Sequence, residues 1–393
     1  MVDHDEQARR RAWWAHRQGL SGRPDPASAA DVLARTGWAR SVGGANPYLT
    51  LFARMCADRE SVDKAAQALE LYELPAARGC TYVLPAAHFG LGLQVGRGAT
   101  NGELSLLARL GVPRAEIDAL ADAVLDVVGA QPLDPADLKA ALGDRVRSLG
   151  EEGRKRGAAT TLPATLGLLQ SSGALRRVPI DGRLDKQRYG YVRWDAPATA
   201  LTDEEARAEL ARLYFDWTGP ASLGHFRWFS AFSAKDAKAA VAGLELTDVG
   251  DGLLLPAHLR AEYETFEPPA DPAYHLLAGI DALVLLRRDH PSLVDGDPGL
   301  PGEPPVTATK DLTDHPITDR GRIVGLWQYD PAAERVVWWL FGKAADPAAL
   351  GAVVAETEAF VRDQLGDARS FSLDSPKSRA PRLAALRAAG GTG

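Results

Sequence analysis

The run TTLPATLGLLQSSGALRRVPIDGRLDKQRYGYVRW, Thr160 to Trp194, decides how the rest of this 393-residue chain is read. Thr160 or Thr161 is placed to cap a helix, with Pro163 in its first turn, where a missing N–H costs nothing. Leu162, Leu166 and Leu169 recur at helical spacing and bury one face. Ser171, Ser172 and Gly173 end that helix, Gly173 suiting a left-handed C-terminal position. Two extended runs follow, Ala174 to Ile180 and Gln187 to Trp194, joined by a polar loop that opens with the turn-forming pair Asp181-Gly182. A short helix and then a hairpin with a basic tip is the outline of a winged helix, whose helix enters a DNA groove while the wing grips the backbone. It is equally the outline of a helix packed on an ordinary two-stranded ribbon. Charge favours the first reading. From Arg145 to Arg193 eleven Lys/Arg stand against four Asp/Glu, a local net of +7 in a chain whose total is −7.

The candidate phosphate-gripping set follows from that stretch. Thr160 and Thr161 offer hydroxyls and the free N–H groups of a helix start. Arg176, Arg177, Arg183, Lys186 and Arg188 span the hairpin. Tyr189 and Tyr191 could stack on sugars or a wedged base, but alternation with Gly190 and Val192 also puts them on a packed face, which is the favoured reading.

Working outward, the length exceeds one ordinary core and fits several domains. An apolar fraction of 46% is that of a folded protein, not a disordered scaffold. No run of about 18 apolar residues occurs, so no membrane partner is expected. The charged start, MVDHDEQARRRAWWAHRQGL, lacks an apolar secretory core and argues for a cytoplasmic protein. Cys56 and Cys80 form no C-x-x-C pair and are expected to be reduced and buried. Overall acidity argues against indiscriminate coating of nucleic acid but leaves room for a local basic groove.

Three helix-plus-hairpin units emerge along the chain. Residues 1–100 hold an Arg-rich helix with Trp13 and Trp14, a Gly22–Pro26 linker, a helix ending at Gly37, an irregular Trp38–Pro47 loop, two more helices and a strand pair. Residues 101–200 hold three helices and then the Thr160–Trp194 stretch. Residues 201–272 hold a long helix broken at Thr218-Gly219-Pro220, then helix-turn-helix spacing and a hairpin about Gly250-Asp251-Gly252. From 273 to 393 strands dominate, with candidates at Ala282–Arg287, Arg322–Tyr329 and Arg335–Phe341, a Pro/Asp-rich surface loop from His290 to Pro316, and an amphipathic helix from Pro347. A basic tail carrying Lys377, Arg379, Arg382 and Arg387 reads as solvated or able to reach a phosphate backbone.

Laid out in order, these pieces resemble the AlkZ-type DNA glycosylases, a winged-helix family that removes alkylated bases. The carriers are Arg10-Arg11-Ala12-Trp13, Gln18-Gly19-Leu20, Pro47-Tyr48-Leu49-Thr50-Leu51-Phe52-Ala53-Arg54 and Arg78-Gly79-Cys80-Thr81-Tyr82-Val83-Leu84-Pro85. Gly157 to Pro163, Asp181-Gly182-Arg183, Gly279-Ile280-Asp281, Arg288-Asp289-His290 and Gly321 to Trp327 complete the set. The resemblance implies an α+β fold of three tandem winged-helix units followed by a C-terminal β-barrel-like domain. It also implies double-stranded DNA as the partner; the chain itself is expected to be a monomer. The family's catalytic signature is glutamine, an apolar residue, then glutamine or aspartate, just before the Pro-Tyr-Leu helix. Here that window reads Ala39-Arg40-Ser41 or Arg40-Ser41-Val42, without Gln or acid.

That departure matters physically. Base excision needs a held water and tolerance of a cation-like sugar. A guanidinium at 4 Å from such a cation costs about 4 kcal/mol even at an effective dielectric of 20, roughly three decades of rate. Arg40 therefore suits a phosphate, beside the Gly43-Gly44 backbone, better than a sugar cation; the bland alternative is a turn whose glycines merely allow positive φ. Ser41 remains a candidate water-holder. Asp289 is a second catalytic candidate as a general base beside His290, against the plainer reading of an Asp–Arg pair shaping a loop. No zinc spacing, Walker loop or nucleotide motif occurs, so neither metal nor cofactor is expected.

Overall fold

Short polar residues before apolar runs set most helix starts. Ser28 and Asp31 form a reciprocal capping box ahead of the helix Ala29–Thr36. Asp134 and Asp346 cap helices whose first residue is proline, Pro135–Leu142 and Pro347–Phe360. Ser222 caps Leu223–Ser230, with His225 returning the bond to the Ser222 N–H. At Leu162–Ser171 the expected threonine cap is missing: Thr161 is helical and makes no side-chain cap bond. Its hydroxyl accepts instead from the Arg147 N–H at 3.2 Å, because the neighbouring Ser148 and Thr160 pair as a β-bridge.

The computed structural model describes residues 4–21, 28–194, 196, 200–371 and 374–390; the Gly22–Pro26 linker lies outside them. With helix at 52% and strand at 15%, the fold is a mixed helix–strand one. The chain divides into two compact units, one of Met1–Leu71, Val83–Ala86 and Arg207–Gly393, the other of Tyr72–Tyr82 and Ala87–Ala206.

In the second unit the helices Arg114–Val127, Pro135–Leu142 and Leu162–Ser171 share an apolar core that includes Leu120, Val124, Leu138, Leu166 and Leu169. The hairpin Leu175–Pro179 with Tyr189–Arg193 is antiparallel, pairing Arg177 with Tyr191 and Pro179 with Tyr189. Gly190 is required there, since a Cβ would stand 2.7 Å from Pro132.

The first unit ends in a four-stranded antiparallel sheet, a curled half-barrel, in the order Arg335–Leu340, Arg322–Asp330, His315–Asp319, Tyr274–Leu276. Two sequence expectations fail here. Ala282–Leu285 is a helix, capped by the Asp281 carboxylate through the Leu283 N–H, because an apolar run reads alike in either state and the cap decides. His315–Asp319, whose first two residues fall in the expected His290–Pro316 loop, is a fully buried strand. The tail also departs from expectation: Pro376–Gly390 is a helix packed on the sheet. Arg379 pairs with Asp367, Arg382 with Asp374 and Arg387 with Asp330, so these cations answer carboxylates within the fold. Cys56 is exposed and Cys80 half-buried, both free, in place of the burial expected; Cys56 ends its helix in the left-handed conformation and sits off the helix end.

The N-terminal helix His4–Arg17 is bound into the same unit by its tryptophans. The Trp13 and Trp14 indoles donate to the Gly219 and Pro220 carbonyls at 2.7 and 3.1 Å. Among the described residues the most buried charge pair is Arg54 with Asp281, held through both terminal guanidinium nitrogens at 2.7 and 2.9 Å with both side chains fully buried. Gln18 accepts from the same guanidinium at 3.3 Å and donates to the Trp217 carbonyl.

Candidate functional site

The basic hairpin carries its charges unequally. Successive strand residues face opposite sides, and Arg176 and Arg177 meet different surroundings. Arg177 turns to Glu73, with guanidinium–carboxylate contacts at 2.7 and 3.1 Å, and lies 4.2 Å over the Tyr189 ring. Tyr189 donates to the same carboxylate at 3.0 Å. Burial works against the Arg177 charge, but Glu73 and the tyrosines outweigh it and raise its pKa. Tyr191 bridges to Leu133 and packs on the apolar core, while Tyr189 lies between Glu73 and the Arg177 guanidinium. Arg183 makes a two-pronged contact with Asp185 at 2.9 and 2.6 Å, Lys186 stands 3.9 Å from the same carboxylate, and the exposed Arg188 is 3.6 Å from Asp181.

Arg176 is different. It is half-buried, burial lowers its pKa, and no carboxylate among the described residues pairs with it. Arg145, Arg154 and Arg193 are exposed and likewise have no ion pair there. These three were not singled out from the sequence, although they lie in the same positive window. Which cations are left over depends on partners such as Glu73, about a hundred residues away along the chain. Thr160 is half-buried, and Thr161 is wholly enclosed with its hydroxyl already engaged.

The Trp38–Pro47 loop belongs to the other unit. It opens with a two-residue strand, Ala39–Arg40, where irregular backbone was expected. Trp38 packs edge-on against Trp217, 5.6 Å between ring centroids. Arg40 is half-buried and Ser41 is 6% exposed. Gly43 and Gly44 have φ of 73° and 88°, and a Cβ on Gly43 would stand 2.6 Å from the Arg369 carbonyl oxygen. Asn46, which no sequence motif marks, sits at the start of the helix Asn46–Met55. Its Nδ2 donates to the Arg40 carbonyl at 2.5 Å, while its Oδ1 is buried with no partner among the described residues. The signal was present: it is the one carboxamide in the window Ala39–Tyr48.

Asp289 does not pair with His290, whose Nδ1 meets the Thr309 carbonyl at 3.0 Å. Nor does it pair with Arg288, which holds Asp311. Its carboxylate lies 3.6 Å from His225 Nε2. His225 Nδ1 accepts from the Ser222 N–H, which leaves its proton on the nitrogen facing Asp289. Burial, reinforced by the Arg287 charge and opposed by Asp289, pushes the His225 pKa down to about 4. Arg287 itself is buried, stacked 3.7 Å over Trp14, with burial pushing its pKa down to about 10. This is a neutral histidine held between an arginine and a carboxylate, at the start of a helix.

Among the described residues no helix is long and apolar enough to cross a membrane, and no group of three or more His, Cys, Asp or Glu could hold a metal ion. A family model for AlkZ-like DNA glycosylases matches residues 29–362. Among solved structures, the chain is similar to the DNA glycosylase AlkZ of Streptomyces sahachiroi, with a TM-score of 0.66 at 23% identity, over 92% of this chain and 97% of that one. Comparison with the curated proteins finds no match.

Proposed function

This chain belongs to the AlkZ-like DNA glycosylase family, and on that premise we propose that it binds duplex DNA without efficient base excision. The observation that carries the reading is that Arg145, Arg154, Arg176 and Arg193 have no carboxylate partner among the described residues of an acidic chain, Arg193 giving only a hydrogen bond to the Leu125 carbonyl at 2.9 Å. Cations with no internal carboxylate are free to displace counterions from a phosphate backbone. In this reading the helix Leu162–Ser171 and its hairpin act as a winged helix, one of three tandem units in the divisions 1–100, 101–200 and 201–272, and damaged, alkylated DNA is the target class. Arg183, Lys186 and Arg188 approach a phosphate only by exchanging their aspartates for it. A monomer acting in the cytoplasm fits the proposal. Duplex binding measured against salt tests it: Arg176→Ala with Arg193→Ala weakens binding and makes the log–log salt slope shallower by about 0.9 per lost contact. Unchanged affinity and slope would remove the idea.

Asn46 favours a second reading, an active glycosylase with a relocated water-holder. A buried carboxamide oxygen without a partner can accept from a water and place partial negative charge near a developing cation. Ser41 and Asp289 are the other candidates for that task. Incubation with alkylated genomic DNA and mass spectrometry of released bases decides. Release abolished by Asn46→Ala supports this reading, whereas no release from any substrate ends it.

A further inference from the structure

The tip of the hairpin Leu175–Pro179 with Tyr189–Arg193 is firmly held, yet it leaves an apolar side chain in water. Its first strand begins in the core, with Leu175 1% exposed, and Ile180, the residue after that strand, is 42% exposed. No other large apolar side chain among the described residues is as exposed. Single apolar residues on a surface are ordinary, so exposure alone decides nothing. The surroundings decide. Leu184, in the same tip, is 3% exposed, so the tip has cover for an apolar group and gives it to Leu184. Nor is Ile180 on a loose end of chain: its N–H donates to the Arg188 carbonyl at 2.9 Å, and the Gly182 N–H donates to the Pro179 carbonyl at 3.1 Å.

The strands behind the tip are clamped together. Glu73 takes Arg177 from the first strand at 2.7 Å and the Tyr189 hydroxyl from the second at 3.0 Å. The paired cation thus stiffens the support on which Ile180 stands, and a side chain on a stiff support loses little freedom when it is inserted into a partner. Charge says what that partner is. From Ala174 to Trp194 six Lys/Arg stand against two Asp. Asp181, beside Ile180, is answered by Arg188 at 3.6 Å, and Asp185 by Arg183 and Lys186, so neither carboxylate confronts a phosphate alone. An apolar tip in a positive field fits a polyanion with an apolar interior. Duplex DNA is such a molecule, with phosphates outside and flat stacked bases between them, and isoleucine is among the side chains able to part a base step.

We infer that Ile180 is a wedge: carried into a groove by the hairpin, it inserts at a base-pair step and partly unstacks it. Resting on the duplex-binding reading, the wedge adds a requirement of its own, that the step give way. TA steps unstack readily, whereas A-tracts are stiff. The test titrates the full chain, by fluorescence anisotropy at several salt concentrations, with two duplexes of one length, one with a central TA step and one with a central A-tract. A 2-aminopurine beside the TA step reports unstacking. The parent should prefer the TA duplex at least about fivefold and raise the 2-aminopurine fluorescence. Ile180→Ser, with the parent's thermal midpoint, should weaken TA binding about tenfold and remove both the preference and the fluorescence rise. Its salt slope should equal the parent's, because no phosphate contact is lost. Ile180→Phe should keep the preference and the rise. Absence of any duplex binding by the parent overturns the duplex-binding reading and the wedge with it. Binding without a fluorescence rise, or a rise that survives in Ile180→Ser, overturns the wedge and leaves that reading standing. Self-association of the free chain in sedimentation that Ile180→Ser abolishes seats a second copy on this side chain and overturns the wedge as well.

Discussion

In the basic hairpin, positive charge is plentiful and its use is decided by which carboxylates reach it; in the Trp38–Pro47 loop, charge is sparse and enclosure decides. Arg177, Arg183 and Lys186 lie against Glu73 and Asp185, while Arg176 and Arg193 have no carboxylate partner among the described residues. The loop instead buries Ser41 and Asn46 and brings Gly43 against the Arg369 carbonyl. A surplus of cations seen in sequence is thus an upper bound on what a ligand can use. A polar loop residue gains chemical meaning only when burial strips its water and leaves an atom unanswered.

The largest expected effect sharpens the loop side. Asp281→Ala strands Arg54 as a buried unpaired charge behind the helix that carries the loop, and should cost about 3–5 kcal/mol in denaturant unfolding. A loss under about 1 kcal/mol would mean that the pair does not anchor this helix.

Acid should strike the same unit next. Burial holds His225, His275 and His315 near a pKa of about 4, against about 6.5 when unfolded. Their neutral forms therefore contribute full stability above about pH 6.5, which is lost as pH falls toward 4. For His315, enclosed against Trp327 and accepting from the Gly279 N–H, the loss is on the order of 3 kcal/mol. Unfolding measured across that window should show a shallower pH slope in His315→Asn; an unchanged slope would break the assignment.

On the hairpin side, Arg177→Ala should destabilise by about 2 kcal/mol, since Glu73 is left nearly buried without its partner, whereas Arg176→Ala should stay within about 0.5 kcal/mol. Thermal unfolding of the two variants side by side checks the distinction, and equal losses would erase it. Back in the loop, Gly43→Ala should cost about 1–2 kcal/mol, from positive φ together with the close Arg369 carbonyl. A neutral substitution there would show that the turn is loosely held.

Much of the architecture was legible in the chain. The Leu162–Ser171 helix, the hairpin after it, the helices of 203–241 and the strands Arg322–Asp330 and Arg335–Leu340 follow from periodicity, capping residues and Gly/Pro breaks, which are local properties. Several motif pieces that carried the family resemblance proved to be framework: Gln18, Arg54 and Asp281 meet in one buried network. Local pattern could not say so, because those three residues lie far apart in sequence.

By itself, then, the sequence determined where helices and hairpins form, where positive charge accumulates, and that the glutamine signature is missing. Only the tertiary structure decided which arginines are answered by carboxylates, that the basic tail folds back as a helix, and that Asn46 Oδ1 is buried with no partner among the described residues. The reason is physical. Secondary structure depends on neighbours a few residues away, whereas desolvation and ion pairing depend on groups that approach in space from anywhere along the chain.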